Sequence, residues 1–196
     1  MVGAVGVGRI LSPLVVRSRT LGGMARTLFL MRHAKSVDHD ALRDHSRALA
    51  PLGRQQAADA GLMLANRGIE LILCSSATRC VQTAQGLDLR LPDTTPVPMQ
   101  VLDALYLSSS DQLRQRISEI EDDVTGLLVV AHSPGIPTLS AELAWQSDRR
   151  AADQMQCHFP TAAFSEYTIA GSWADLADES ADVKLTGTDR PPKASR

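Results

Sequence analysis

Three short apolar runs constrain the fold of this chain more than any other feature. Thr27-Leu28-Phe29-Leu30-Met31, Leu71-Ile72-Leu73-Cys74 and Leu127-Leu128-Val129-Val130-Ala131 are almost wholly hydrophobic at consecutive positions. Successive side chains of a strand point to opposite faces. Such a run is therefore stable only where both faces are covered, as in a parallel sheet with helices on each side. Each run also stops abruptly on polar residues: Arg32-His33 after the first, Ser75-Ser76 after the second and His132-Ser133 after the third.

The intervening segments can supply the cover. Pro51 to Arg67 is rich in Ala, Leu, Gln and Met and is followed by Gly68, the composition and the stop signal of a helix. Leu113, Ile117 and Ile120 follow the i, i+4, i+7 rule behind Ser110, a residue type able to cap that helix. A third helix is expected after Pro137, burying Leu139 and Leu143. The proline-rich stretch Pro92 to Pro98 reads as a loop into a short strand at Val97 to Leu102, and Phe164 to Ile169 alternates like an edge strand. Strands and helices in alternation predict an α/β fold, a three-layer α/β/α sandwich with a mostly parallel central sheet.

A chain of 196 residues, 44% hydrophobic and 21% charged, suits one domain with one substantial core. We place that domain at residues 25–175. Residues 1–24 read as a disordered extension or a mis-assigned start, with Met24 the alternative first residue, and residues 176–196 as a polar C-terminal tail carrying Pro191 and Pro192. Arg9 and Arg17 break the order of a secretory signal. Gly3, Gly6 and Gly8 are not spaced as a dinucleotide-binding loop.

The net charge of -2 provides no global basic field to attract nucleic acid or an anionic membrane surface. No run approaches the roughly 18 apolar residues of a membrane span. Cys74, Cys80 and Cys157 form neither an even disulfide set nor a paired-cysteine motif, so reduced thiols in a cytoplasmic protein are expected, with no structural metal and no cofactor.

Ligands of open α/β sheets bind beyond the carboxyl ends of the strands, where the three runs deposit Arg32, His33 and His132. Arg79 joins them, because it follows Cys74-Ser75-Ser76-Ala77-Thr78. A serine there can cap a helix and set Arg79 in its first turn, at the dipole end that favours anions. His132 precedes Ser133-Pro134-Gly135, a sequence suited to a sharp turn. Two guanidinium forks and two imidazoles make a site for a multiply charged tetrahedral anion.

Phosphoryl transfer asks mainly for positioning and charge stabilisation around an in-line nucleophile. A neutral imidazole can be that nucleophile when a backbone carbonyl holds the proton on its other nitrogen, which makes His33 the candidate. The competing reading of Ser133 as a hydrolase nucleophile lacks the flanking glycine pattern and an evident third acid. The histidines and cysteines also show no zinc-site spacing. His39, His45 and His158 read as surface or loop residues.

Leu28-Phe29-Leu30-Met31-Arg32-His33-Ala34-Lys35-Ser36 resembles the Arg-His signature of the histidine phosphatase, or phosphoglycerate-mutase-like, superfamily, in the form used by its short SixA-type phosphohistidine phosphatase branch. Ser75 to Ala84 is similar to the second-arginine helix, and Val130 to Gly135 to the second-histidine turn; Leu105-Tyr106 and Phe159-Pro160-Thr161-Ala162 match further branch features. The resemblance runs from about Thr27 to Trp173. It implies a phosphoglycerate-mutase-like fold, a phosphohistidine intermediate at His33, phosphate held by Arg32, Arg79 and His132, and no metal. Lys35 and Ser36 flank the nucleophile and are candidate substrate contacts. Asp103 lies near the place of the acid that protonates the leaving group in larger members. Ala131 and Ser133 replace the usual Gly and Asn of the second-histidine turn, which is expected to tune the backbone's approach to phosphate.

The expected activity is metal-independent hydrolysis of a phosphohistidine protein or a small phosphate ester. A phosphomonoesterase for sugar or nucleotide phosphates is the alternative among enzymes, and a phosphate-binding regulatory module without turnover the alternative outside them.

Overall fold

A computed structural model describes residues 25–38, 44–178 and 180–192. The three apolar runs are strands β1 (Arg26–Arg32), β2 (Leu71–Ser75) and β4 (Gly126–Ala131), and the short strand before Asp103 is β3 (Met99–Leu102). With β5 (Phe164–Ala170) and β6 (Asp182–Asp189) they form one sheet of order β3-β2-β4-β1-β5-β6. β3, β2, β4 and β1 run parallel, whereas β5 and β6 are antiparallel additions.

The strict two-residue period of a strand divides the core between two layers of helices. Leu28, Leu30, Leu71, Leu73, Leu127 and Val129 face helices α3 (Ser110–Ser118) and α4 (Gly135–Ala144) through Leu113, Ile117, Ile136 and Leu139. Phe29, Met31, Ile72, Cys74, Leu128 and Val130 face α1 (Pro51–Leu64) and α2 (Thr78–Gly86) through Ala57, Ala60, Leu64 and Cys80. The sandwich thus has apolar surface buried on both sides of the central strands, as their composition requires.

Several local expectations differ from the structure. Phe164 to Ile169 is not at the edge, because β6 pairs along its outer side from Phe164↔Asp189 to Ala170↔Asp182. Most of the stretch expected as a polar tail is therefore ordered. Trp173–Leu176 forms a 3-10 turn, and β6 packs Val183 and Leu185 against the core. The cap of α3 is Ser109 rather than Ser110: its hydroxyl accepts from the Gln112 amide and the Gln112 side chain returns the bond, a complete capping box. α4 begins at Gly135, so Pro137 falls inside its first turn, where a missing N–H costs nothing. A fifth helix, α5 (Arg149–Cys157), was not expected; Asp148 caps it and Ala152 and Met155 are its buried residues. Residues 1–24 and His39 lie outside the described residues.

α1 fixes the loop that follows β1. The Ala50 amide donates to the Lys35 carbonyl at 2.9 Å, and the Gln56 side chain accepts from the Lys35 amide at 2.9 Å. This approach is possible because Gly53 has no side chain, since a Cβ there would stand 1.9 Å from the Lys35 oxygen. Gly53→Ala should cost about 1–3 kcal/mol, the range of an overpacked core position, and lower the urea midpoint accordingly. An unchanged midpoint would show that the loop beside His33 is not braced by α1.

Candidate active site

The carboxyl ends of β1, β2 and β4, together with the first turn of α2, bring His33, Arg79, Ser75 and His132 into contact. His33 and His132 are edge-to-face with ring centroids 5.4 Å apart. Arg79 is only 2% exposed, and its Nε–H donates to His33 Nε2 at 3.2 Å while Nη2 donates to His132 Nδ1 at 3.1 Å. Because arginine cannot accept, both imidazole nitrogens facing it carry lone pairs. The opposite nitrogens then hold the protons: His33 Nδ1–H donates to the Ala34 carbonyl at 2.8 Å, and His132 Nε2–H to Ser75 Oγ at 2.8 Å. The first of these bonds is the tautomer lock that a nucleophilic Nε2 requires.

Arg32 approaches from the other side. Its Nη1 donates to the Phe159 carbonyl at 2.8 Å, its Nε is buried without a hydrogen-bond partner among the described residues, and its charge acts on His33. Burial lowers its pKa, yet a guanidinium stays cationic. The segment Phe159-Pro160-Thr161-Ala162 clasps this corner, because the Ala162 amide donates to the carbonyls of both Arg32 and His33. Thr83 ties the nucleophile's loop to α2. Its hydroxyl accepts from the Ala34 amide at 3.0 Å and donates to the Arg79 carbonyl at 2.6 Å.

Asp44 and Arg47, which the sequence did not single out, complete the cluster together with Tyr106, which matched a branch feature without an assigned role. Asp44 Oδ2 accepts from Arg79 Nη2 at 3.1 Å and from the Tyr106 hydroxyl at 2.7 Å, and the Asp44 carbonyl accepts from Arg79 Nη1 at 2.6 Å. Asp44 Oδ1 pairs with Arg47, whose Nη1 also reaches Ser36 Oγ at 2.9 Å. Tyr106 packs edge-on to His132 and lies under the Arg79 guanidinium, 6.0 Å from its ring centroid. His45, expected at the surface, is exposed but packs edge-to-face with Tyr106 and bonds Ser76. His158 is exposed at the end of α5.

The remaining sequence candidates take other places. Ser36 is buried and its hydroxyl holds Arg47, while Lys35 is exposed. Ser75, rather than capping α2, orients His132; the N-cap of α2 is Ala77, without a side-chain bond. Asp103 does not meet the His33–Arg79 cluster among the described residues. It is exposed at the start of a 3-10 turn and lines a separate cavity with Gln100, Arg116 and Glu119. The 3-10 turn that begins at Asp103 is closed by the Tyr106 amide, which donates to the Asp103 carbonyl at 2.9 Å, and Tyr106 beyond it reaches the cluster.

The electrostatics keep both imidazoles neutral. Burial chiefly, opposed by the bond to the Ala34 carbonyl and reinforced by Arg79, Arg32 and Arg47, lowers the His33 pKa to about 4. Burial followed by the charge of Arg79 lowers that of His132 to about 3. For Asp44, burial alone would raise the pKa, but the bonds from Tyr106 and Arg47 and the charge of Arg79 outweigh it and hold the carboxyl far below its ordinary range. The cluster therefore presents two neutral imidazoles, three guanidinium ions and one ionised carboxylate, a set of groups suited to a bound phosphoryl group.

A profile of the histidine phosphatase superfamily (branch 1) matches residues 28–106. An uncharacterised protein of Mycobacterium tuberculosis is 38% identical over 152 residues, covering 74% of this chain and 91% of its own length. A solved structure from Nakamurella multipartitia, provisionally assigned as the phosphohistidine phosphatase SixA, superposes with a TM-score of 0.71 at 33% identity, over 85% of this chain and 96% of that one. The mycobacterial glucosyl-3-phosphoglycerate phosphatase shares the fold, with a TM-score of 0.57 at 17% identity over 83% of this chain and 97% of that one.

The two depressed imidazole values make a linkage prediction. Between pH 6.5 and about 3 to 4 the unfolded histidines bind protons that the folded ones refuse. Their contribution to stability is therefore fully present above pH 6.5 and is lost as pH falls through that window. Denaturant midpoints should decline accordingly, and His132→Gln should flatten part of the decline. A midpoint constant in the wild-type protein from pH 6.5 to 4 would mean that the rings are not held neutral by burial.

Proposed function

The chain belongs to the histidine phosphatase superfamily and to its SixA-type branch, and from that premise we propose that it hydrolyses phosphohistidine on a protein through a phosphoenzyme at His33. The observation that carries the proposal is the His33 ring itself, held by Ala34 through Nδ1 with its Nε2 lone pair turned toward Arg79. In the first step Nε2 attacks phosphorus as the leaving group departs, and Arg32, Arg79 and His132 surround the equatorial oxygens. In the second step water displaces the imidazole, releasing inorganic phosphate and restoring neutral His33. Arginines supply the neutralising charge that metal ions supply in other phosphoryl-transfer enzymes, so turnover should persist in EDTA.

The carboxylate favours a labile leaving group. An alkoxide departs slowly unless an acid donates a proton to it, whereas the imidazole of phosphohistidine leaves with less help. Among the described residues the carboxylate in contact with the cluster is Asp44, which is held ionised by Arg79, Arg47 and Tyr106 and so is a poor proton donor. The SixA assignment of the Nakamurella structure supports the same substrate class. Hydrolysis of small phosphate esters is the second reading, favoured by the shared fold of a glucosyl-3-phosphoglycerate phosphatase. A cytoplasmic setting accords with the buried thiols of Cys74 and Cys80, and no helix of the described residues is long and apolar enough to cross a membrane.

A panel of phosphohistidine protein, sugar phosphates, nucleotides and an aryl phosphate, compared by kcat/KM, tests the proposal. Phosphohistidine should lead the panel, and a sugar or nucleotide phosphate ahead of it would transfer the assignment to the second reading. His33→Ala should abolish turnover of every substrate; a variant retaining more than a few per cent would remove His33 as nucleophile. Arg32→Ala and Arg79→Ala should each cost on the order of 3 kcal/mol in kcat/KM, the scale of losing a preorganised charged donor.

A further inference from the structure

Arg79 is already occupied. Of the five N–H groups of a guanidinium, one meets His33 Nε2, one the Asp44 carbonyl, one the Asp44 carboxylate and one His132 Nδ1. A phosphoryl group bound for attack by His33 has to take the position of the 3.2 Å contact between Arg79 Nε and His33 Nε2. It also requires donors that Arg79 is giving to neighbours. Of those neighbours only Asp44 Oδ2 is an anion, and a carboxylate oxygen and a phosphate oxygen make the same charge-assisted bond to an arginine.

The carboxylate has a second home. Its Oδ1 is held by Arg47 at 2.8 Å and its Oδ2 by the Tyr106 hydroxyl at 2.7 Å, and both bonds are independent of Arg79. Arg47 is in turn fixed by Ser36 Oγ and the Val37 carbonyl. Asp44 can therefore release Arg79 without becoming a bare buried charge, which would be costly. Arg79 likewise keeps its bond to the Asp44 backbone carbonyl whatever the side chain does.

Building on the phosphatase reading, we propose that Asp44 is a resident anion that occupies Arg79 in the free protein and is displaced from it by the phosphoryl group of the substrate. The arrangement keeps a nearly fully buried cation paired while the site is empty. It weakens the affinity for inorganic phosphate, since any bound anion competes with the carboxylate, and the return of Asp44 helps expel the product. A ligand shifts such an equilibrium only by its differential affinity for the two states, and here that difference is an exchange of one anion for another on a single arginine. Asp44 is in this sense a positioning residue, acting through Arg79.

The test is the affinity for inorganic phosphate, measured by titration calorimetry so that turnover is not needed. Asp44→Asn keeps the shape and the backbone carbonyl while removing the charge; with its one amide oxygen toward Arg47, its N–H meets the Tyr106 hydroxyl, which can turn to accept. It should bind inorganic phosphate about tenfold or more tightly than wild type, the usual scale of a like charge within a few ångströms, and its product-inhibition constant should fall in parallel. Equal or weaker binding would overturn the proposal and make Asp44 a brace for Arg79. Arg32→Ala separates this from failure of the functional reading. If it weakens phosphate binding while Asp44→Asn does not strengthen it, only the present proposal falls. If Arg32→Ala leaves binding unchanged, phosphate does not occupy this cluster and both fall. Should the variant not fold, wild-type crystals soaked in orthovanadate decide the matter. Vanadate at His33 with Asp44 Oδ2 moved off Arg79 supports the proposal, and vanadate with that contact intact at about 3.1 Å overturns it.

Discussion

Burying the Arg79 guanidinium is the constraint on which the rest of the site depends. Removing a cation from water costs several kcal/mol unless its donors are met, and Arg79 retains only 2% of its exposure. The chain meets that cost from four directions: a carboxylate and a carbonyl from Asp44, an imidazole from the end of β1 and another from the end of β4. Each partner is fixed by a further bond, Asp44 by Arg47 and Tyr106, His33 by the Ala34 carbonyl and His132 by Ser75. The same contacts that make the arginine tolerable fix both ring tautomers. Stability and the orientation of the His33 ring thus come from one set of hydrogen bonds.

That coupling explains why the sheet order matters. β1 lies beside β4, and β4 beside β2, so His33, His132 and Ser75 emerge on adjacent strands. α2 starts just after β2 and delivers Arg79 from its first turn. The Phe159–Ala162 segment then closes the fourth side by bonding the Arg32 and His33 carbonyls. The antiparallel strands β5 and β6 add no chemistry of their own, but β5 follows directly from that clasp and anchors it along β1.

What the sequence revealed follows from the kind of signal each residue carries. Arg32, His33 and His132 were legible because an apolar run ends at each, and burial on both faces leaves no ambiguity about where a strand stops. Arg79 was legible from the short polar step into a helix. Asp44 was not, because it lies in a polar stretch without hydrophobic periodicity, and its importance comes from contacts more than 30 positions away. Asp103 attracted notice because it lies near the place of the acid in larger family members, yet it is exposed at the start of a 3-10 turn, whereas Tyr106 three residues on bonds Asp44 in the cluster. The strand at Asp182–Asp189 did carry a period-two signal in Val183 and Leu185, which its many polar and charged residues obscured. The capping box at Ser109 and Gln112 shows the same sensitivity at one-residue scale, since only the serine three positions before the glutamine can close it.

The charge balance of the cluster also bears on how substrate and nucleophile coexist. On the proposed function a protonated His33 would be a better anion ligand and no nucleophile, so a phosphate dianion would have to be bound without charging the imidazole. Burial and the surrounding arginines accomplish this together, because the cations that attract phosphate also repel a proton from His33. A carboxylate placed directly on His33 would reverse that effect by stabilising imidazolium. Asp44 avoids the difficulty by bonding the arginine rather than the ring, which leaves one guanidinium between the negative charge and the nucleophile. The geometry therefore separates two demands that conflict in a smaller site. Cation density is high enough for a multiply charged phosphoryl group, and the basic nitrogen remains neutral at the pH where that group is ionised.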